Sequence, residues 1–185
     1  MSSLRVPVTV RDHVLGSPGS ELVLVEYGDY ECPSSAATHA AVADLREHFG
    51  PSLRYVYRHF PVSELHEHAV IAAEAAEAAG AQGQFWELHE VLFAQQHALD
   101  EEQLLRYAAW LGLDVARLRH DVEGHSHMRH IRDDFTGGLR SGVTATPCVF
   151  VNGRRHDGAR DAASLALALE RAQRANAVHV RDTQH

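Results

Sequence analysis

The chain has 185 residues, enough for one domain with a substantial core, and its 45% apolar and 23% charged residues are ordinary for a globular protein. That composition excludes a disordered chain, a collagen-like repeat and a disulfide scaffold. The formal net charge is −8, with 17 Lys and Arg against 25 Asp and Glu, which argues against a phosphate backbone as the main partner, so no nucleic acid is expected.

The opening residues hold no apolar stretch long enough for a signal peptide, and Arg11, Asp12 and His13 follow at once. The Ala-rich stretch 69–81 is interrupted by Glu74 and Glu77, so it cannot sit in a bilayer. These features set the expectation of a soluble, cytoplasmic protein with no membrane insertion. Leu22–Tyr27 is a β-rich run bounded by Ser17-Pro-Gly-Ser20 and Gly28. Pro33, tolerated at a first helical position, opens a predicted helix to about Phe49, with Val42, Leu45 and Phe49 on one face. Gly50-Pro51 stops it, and Leu53–His59 reads as a second strand closed by Phe60-Pro61.

Helices are predicted next. His66 to Ala79 has strong helix propensity. Phe85, Leu88, Leu92 and Phe93 form an apolar stripe with His89 on the same face, which marks His89 as a core histidine with a hydrogen-bond partner. Asp100 and Gln103 have capping-box spacing ahead of Leu104, Tyr107, Ala108 and Leu111. Asp114 caps another helix, and Met128, Ile131 and Phe135 mark a fifth. Strand character returns at Cys148–Val151, where Asn152-Gly153 signals a tight hairpin with Arg154–His156 as its return. Asp161 caps a last helix, and 175–185 read as a loose tail.

Chemistry centres on Cys32, at the junction of a strand and a helix. A residue there faces unpaired backbone N–H groups and the positive end of the helix dipole, both of which favour a thiolate. Cysteines so placed titrate at ~3.5–7.5, below the ordinary value, and the thiolate is the nucleophile. A small buried cysteine ending a strand is the plainer reading of the same position. Glu26 is a charge inside an apolar strand, so it needs a partner, a raised pKa, or a place at the sheet edge. His59 ends the second strand and stands beside the proposed thiol, where an imidazolium would favour thiolate further.

The segment Val25-Glu-Tyr-Gly-Asp-Tyr-Glu-Cys-Pro33 resembles the active-site segment of DsbA-type thioredoxin-fold proteins. Asp12-His13 with Gly16, Arg58-His-Phe-Pro61, Gln84-Phe-Trp-Glu-Leu-His89, Gly142-Val-Thr-Ala-Thr-Pro147 and Phe150-Val-Asn-Gly153 extend the likeness. They resemble the bacterial branch also found fused to some sodium/proton antiporters, in family order from residue 12 to about 172. The resemblance implies an α/β thioredoxin-like fold in one domain over 1–185. Its core would be 1–62 and 143–174, with a helical insertion at 63–142 between the second strand and the cis-proline strand. It implies Cys32 as nucleophile, followed by Pro33, and Pro147 as a cis-proline packed against the thiol. It further implies Thr146 as the backbone partner of an extended substrate and Glu26 as a buried acid assisting proton transfer. Protein or small-molecule thiols and disulfides would be the partners.

The motif departs from the pattern: Cys32-Pro33-Ser34-Ser35 carries serine in place of the resolving cysteine. A dithiol oxidant resolves its mixed disulfide with that second thiol. Three expectations remain open. Cys32 works as a monothiol in isomerisation or deglutathionylation-like exchange, with Ser35 hydrogen-bonding the thiolate. Alternatively Cys148 takes the resolving role, or the fold is a redox-inactive module that binds an extended segment. No cofactor is expected beyond a low-molecular-weight thiol as cosubstrate. The related kappa-class glutathione transferases use such a thiol but usually carry serine at the nucleophile position, whereas this chain keeps cysteine. The chain holds 15 histidines. His127 and His130 share a helical face, but His125, His127, His130, His66 and His68 are read as solvated, and no metal site is expected.

Overall fold

A computed structural model describes residues 3–182. Five strands form one sheet in the order β1-β3-β2-β4-β5. They are β1 (His13–Leu15), β2 (Leu22–Gly28), β3 (Leu53–His59), β4 (Cys148–Val151) and β5 (Arg154–Arg155). The central pair, β2 and β3, is parallel, with α1 (Pro33–Phe49) as its crossover. The other pairings are antiparallel. Between β3 and β4 run α2 (Ala69–Gly80), α3 (Phe85–Ala94), α4 (Glu101–Trp110), α5 (Val115–Glu123) and α6 (Met128–Arg140), and α7 (Ala162–Asp182) closes the chain.

Strand alternation sorts the core into two layers. Leu22, Leu24, Tyr55, Tyr57, Val149 and Val151 join one buried cluster with residues of α1, α7 and α2–α5. Val25, Tyr27, Val56, Cys148 and Phe150 join the other, against Phe135 of α6. The Phe60 and Phe135 rings stack there with centroids 4.3 Å apart. Gly138 lets α6 approach so closely because a Cβ at that position would stand 2.7 Å from the Phe60 ring. Burying one such large apolar side chain stabilises the fold by roughly 1.5–3 kcal/mol.

Local chemistry sets the helix starts. The Asp100 and Asp114 carboxylates accept from the Gln103 and Arg117 amides at 3.2 and 3.0 Å, and Asp161 accepts from Ser164 at 2.8 Å. Asn152 and Gly153 both adopt positive φ, as a two-residue hairpin turn requires. Strand β1 leaves no mark in the sequence because three residues carry too short an alternation, and only pairing with Tyr55–Tyr57 defines it. One expectation is corrected. The loose tail from Ala175 is replaced by helix as far as Asp182, while 183–185 lie outside the described residues.

Arg58 fastens the N-terminal segment to this frame. Its guanidinium donates to Asp12 at 2.7 Å, to the Tyr27 hydroxyl at 2.9 Å, and to the Val6 and Pro7 carbonyls at 3.0 and 2.9 Å. The Arg58 and Asp12 side chains are almost fully buried, so the pair needs these added hydrogen bonds to offset desolvation.

Candidate active site

Cys32 is the N-cap residue of α1, with Pro33 directly inside the helix. Its carbonyl accepts from the Ser35 and Ala36 amides, the first bonds of the helix. The thiol is nearly buried, at 7% exposure. Its Sγ stands 3.5 Å from the Thr146 carbonyl oxygen, and the Thr146–Pro147 peptide bond is cis. The fold therefore brings Cys32, Thr146 and Pro147 together from opposite ends of the chain. Beside them a shallow groove is lined by Ser34, Thr38, Thr146, Pro147, Arg160 and Asp161.

Glu26 lies on the α1 side of β2 and is fully buried. The Tyr55 hydroxyl donates to its Oε2 at 2.8 Å, and Oε1 has no hydrogen-bond partner. Burial pushes its carboxyl up to about 7, against the opposing Tyr55 hydrogen bond. The edge-strand reading of Glu26 is thereby corrected, since β2 is central in the sheet.

Ser35 is also buried, but its hydroxyl accepts from the Asp29 amide at 3.3 Å. It fastens the turn ahead of Cys32, where the sequence expected a hydrogen bond to the thiolate. Cys148 and Cys32 are both free thiols. In β4, Cys148 shares the second layer with Phe150 and pairs in register with Tyr27, whereas α1 covers the opposite sheet face with Val149 and Val151. That placement turns the Cys148 side chain away from the face that α1 covers, and the two thiols are unbonded, so the structure lends the expected Cys32–Cys148 pair no support. Burial also raises the Cys148 thiol, which suits an inert core position. His59 is buried and its Nε2 lies 2.8 Å from Glu77 Oε1, so its polar partner is Glu77 and not Cys32.

Other residues hold the thiol loop where sequence reading saw none. Gln96 donates to the Tyr30 and Cys32 carbonyls at 2.6 and 3.0 Å. Asp29 accepts from the Glu31 and Val62 amides and contacts His66 Nδ1 at 2.8 Å. Glu31 contacts His68 Nδ1 at 2.9 Å, and that hydrogen bond raises the His68 pKa above its ordinary value. His66 and His68, read as solvated, thus clamp the two acids that precede Cys32. His89 is a core histidine as read: the Tyr30 hydroxyl lies 2.9 Å from its Nδ1, and burial holds it well below the usual imidazole range.

The remaining histidines read as solvated also meet carboxylates. His125 contacts Glu74 at 2.8 Å, and His127 stands 3.6 Å from Asp121. His130 Nδ1 contacts Glu77 Oε2 at 2.9 Å, while His13 Nε2 reaches Glu77 Oε1 at 2.6 Å. Although burial opposes it, the hydrogen bonds of His13, His130 and His59 hold the Glu77 carboxyl well below the usual carboxylate range. Spacings between residues 13, 59, 77 and 130 carry no periodic signal, so this cluster had no mark in the sequence.

A family model described as Thioredoxin matches residues 8–171. Among curated relatives, the Na(+)/H(+) antiporter NhaA 1 of Mycobacterium sp. (strain KMS) is 46% identical over 162 residues, covering 86% of this chain and 26% of that protein. The NhaA 1 of Salinispora arenicola is 43% identical over 180 residues, covering 97% of this chain and 28% of that protein. The chain thus spans about a quarter of the length of these curated relatives. A thioredoxin-like oxidoreductase from Silicibacter pomeroyi DSS-3 superposes with a TM-score of 0.80 at 31% identity, covering 90% of this chain and 94% of that one. The alpha-DsbA1 of Wolbachia pipientis has a TM-score of 0.82 at 20% identity, with 96% and 98% covered, a likeness of fold. From residue 8 to 171 the cysteine at the start of α1, the cis-proline loop and the inserted helices all sit on one matched frame, and the chain belongs to the thioredoxin family with a DsbA-like fold.

Proposed function

We propose that the protein is a monothiol thiol–disulfide oxidoreductase acting through Cys32. The observation that carries this reading is the placement of Cys32 Sγ at the α1 N-terminus, 3.5 Å from the Thr146 carbonyl beside Pro147. Likeness to a thioredoxin-like oxidoreductase at 31% identity supports the general chemistry. The single-thiol mechanism rests on Ser35 and on the separate location of Cys148.

In the proposed step the Cys32 thiolate attacks one sulfur of a substrate disulfide. The substrate S–S bond breaks, and its electron pair leaves on the second sulfur, which takes up a proton. Cys32 is then held in a mixed disulfide. With Ser35 fastened to the Asp29 amide there is no internal thiol to release it. A second, low-molecular-weight thiol frees Cys32 by the same displacement and itself ends in the disulfide. A reducing compartment such as the cytoplasm supplies that thiol. The Thr146 backbone aligns an extended substrate in the groove. Glu26, protonated or ionised according to pH near neutrality, serves as the proton reservoir for the thiol.

The test is to treat reduced protein with glutathione disulfide and map the adduct by mass spectrometry. The expected result is one glutathione on Cys32, none on Cys148, and release when free glutathione is added. A Cys32 that stays unmodified, or an adduct that free thiol does not remove, overturns the proposal in favour of a redox-inactive binding module.

A further inference from the structure

The histidine–glutamate cluster joins four separate elements. His13 comes from β1, His59 from the end of β3, Glu77 from α2 and His130 from α6. The Nε2 atoms of His13 and His59 lie 2.6 and 2.8 Å from the same oxygen, Glu77 Oε1, and all three ligand-type atoms fall within 4.8 Å of one another. His59 and Glu77 are buried, while the His13 and His130 side chains keep 18% and 28% exposure, which leaves a way in.

We propose that His13 Nε2, His59 Nε2 and Glu77 Oε1 form a binding site for a zinc ion, with the fourth position open to solvent. Two imidazoles and one carboxylate are a zinc donor set, whereas Mg²⁺ and Ca²⁺ take oxygen-rich shells. Ligand atoms at about 2.0–2.1 Å from a tetrahedral zinc stand roughly 3.3 Å apart. From their present 2.6 and 2.8 Å, the His13 and His59 nitrogens therefore need to retreat from Glu77 Oε1 by about 0.7 and about 0.5 Å.

The rings are already held for this. His13 stacks flat on Phe85, with centroids 3.4 Å apart and an interplanar angle of 2°. His59 stands edge-on to Tyr57, and its backbone amide donates to Asp134 at 3.0 Å. His130 contacts the other oxygen of Glu77 at 2.9 Å, the kind of outer contact that orients a ligating carboxylate. Once bound, the ion would tie the edge strand β1 and helix α2 to the end of β3. It would stabilise the junction between the sheet and the inserted helices, independently of the thiol chemistry.

The competing account is a carboxylate that simply accepts three imidazole hydrogen bonds. To separate the two, protein with Cys32→Ser and Cys148→Ser, which removes thiol ligands, is stripped with EDTA. It is then titrated with ZnCl₂ by calorimetry and with Co²⁺ by visible absorption. The proposal expects one zinc equivalent and the intense d–d bands of four-coordinate cobalt. His59→Gln and Glu77→Gln should weaken that equivalent at least about ten-fold, while His68→Gln leaves it unchanged. If either buried variant fails to fold, His13→Gln on the edge strand carries the test. Absence of a zinc equivalent overturns the proposal, as does zinc binding that His13→Gln leaves intact, which would place the ion on other surface histidines.

Discussion

The Cys32 site and the Glu77 cluster are held together in opposite ways. At Cys32 the backbone does the positioning: the start of α1, the Thr146 carbonyl and the cis peptide at Pro147 surround one reactive side chain. At Glu77 side chains do the positioning, since three imidazoles from three elements converge on one carboxylate. A backbone-built site keeps its shape when neighbouring side chains change and loses its chemistry with one atom, Sγ. A side-chain-built site has no single decisive atom, but each member depends on the others.

The largest effect should come from that one atom. Cys32→Ser is expected to abolish adduct formation with glutathione disulfide while leaving the far-ultraviolet circular dichroism unchanged. The reciprocal change, Ser35→Cys, restores a second thiol one helical turn along, and the mixed disulfide should then give way to an internal disulfide. Mass spectrometry under non-reducing conditions reads both results. A persistent glutathione adduct in Ser35→Cys would show that residue 35 cannot reach the thiol, and the backbone-built description would need revision.

Next in size is Arg58→Ala. It leaves Asp12 as an uncompensated buried charge and strips hydrogen bonds from Val6, Pro7 and Tyr27. Breaking a buried ion pair in this way costs about 3–5 kcal/mol, which a urea midpoint measures. Asp12 and Arg58 each sit one residue from a cluster histidine, so the Glu77 side should suffer most. Cys32 in the folded fraction should keep its alkylation rate. An equal loss of thiol reactivity would mean that the two regions are coupled after all.

How much of each region the sequence displays follows from the same difference. Backbone positions leave local marks: Pro33 after Cys32, the aspartates at helix starts and Asn152-Gly153 all act within a few residues and were readable. The α/β order follows from such marks and from hydrophobic spacing, whereas the thioredoxin-like frame was legible only through the family resemblance of segments such as Val25–Pro33 and Gly142–Pro147. Side-chain convergence leaves none. His66 meets Asp29 across 37 residues and His130 meets Glu77 across 53, distances at which no spacing rule operates. Ser35 illustrates the limit within a readable motif, because its presence was plain but the direction of its hydroxyl was decided by the Asp29 amide.

Glu26 sharpens the picture of the thiol side through pH. Its carboxyl is raised from 4.5 to about 7 by burial, so between those values the folded state binds more protons than the unfolded state. Stability from this group is therefore full at low pH and falls as pH rises through about 7, by about 3 kcal/mol in all. Glu26→Gln, with similar shape and no charge, should flatten this component. Its stability relative to the parent should rise between pH 5 and pH 8, as read from paired urea titrations. The same variant should remove a step near pH 7 from the rate of Cys32 alkylation if Glu26 is the thiol's proton reservoir. A rate profile that keeps that step would leave Glu26 as a buried acid with no part in the exchange.

The smallest effect is expected where neither region is touched. Asp100 accepts from the Gln103 amide at the start of α4, on the exposed side of the inserted helices. Asp100→Ala removes that acceptor and one favourable charge near the helix N-terminus, which costs about 1 kcal/mol. Both the glutathione adduct at Cys32 and zinc binding at the Glu77 cluster should stay as in the parent protein. The value of the change lies in its size. It lowers stability about as much as a partial disturbance of either region would, so it separates loss of a site from loss of fold. If this variant weakened zinc binding or thiol exchange, reduced activity in the other variants could no longer be assigned to their local contacts.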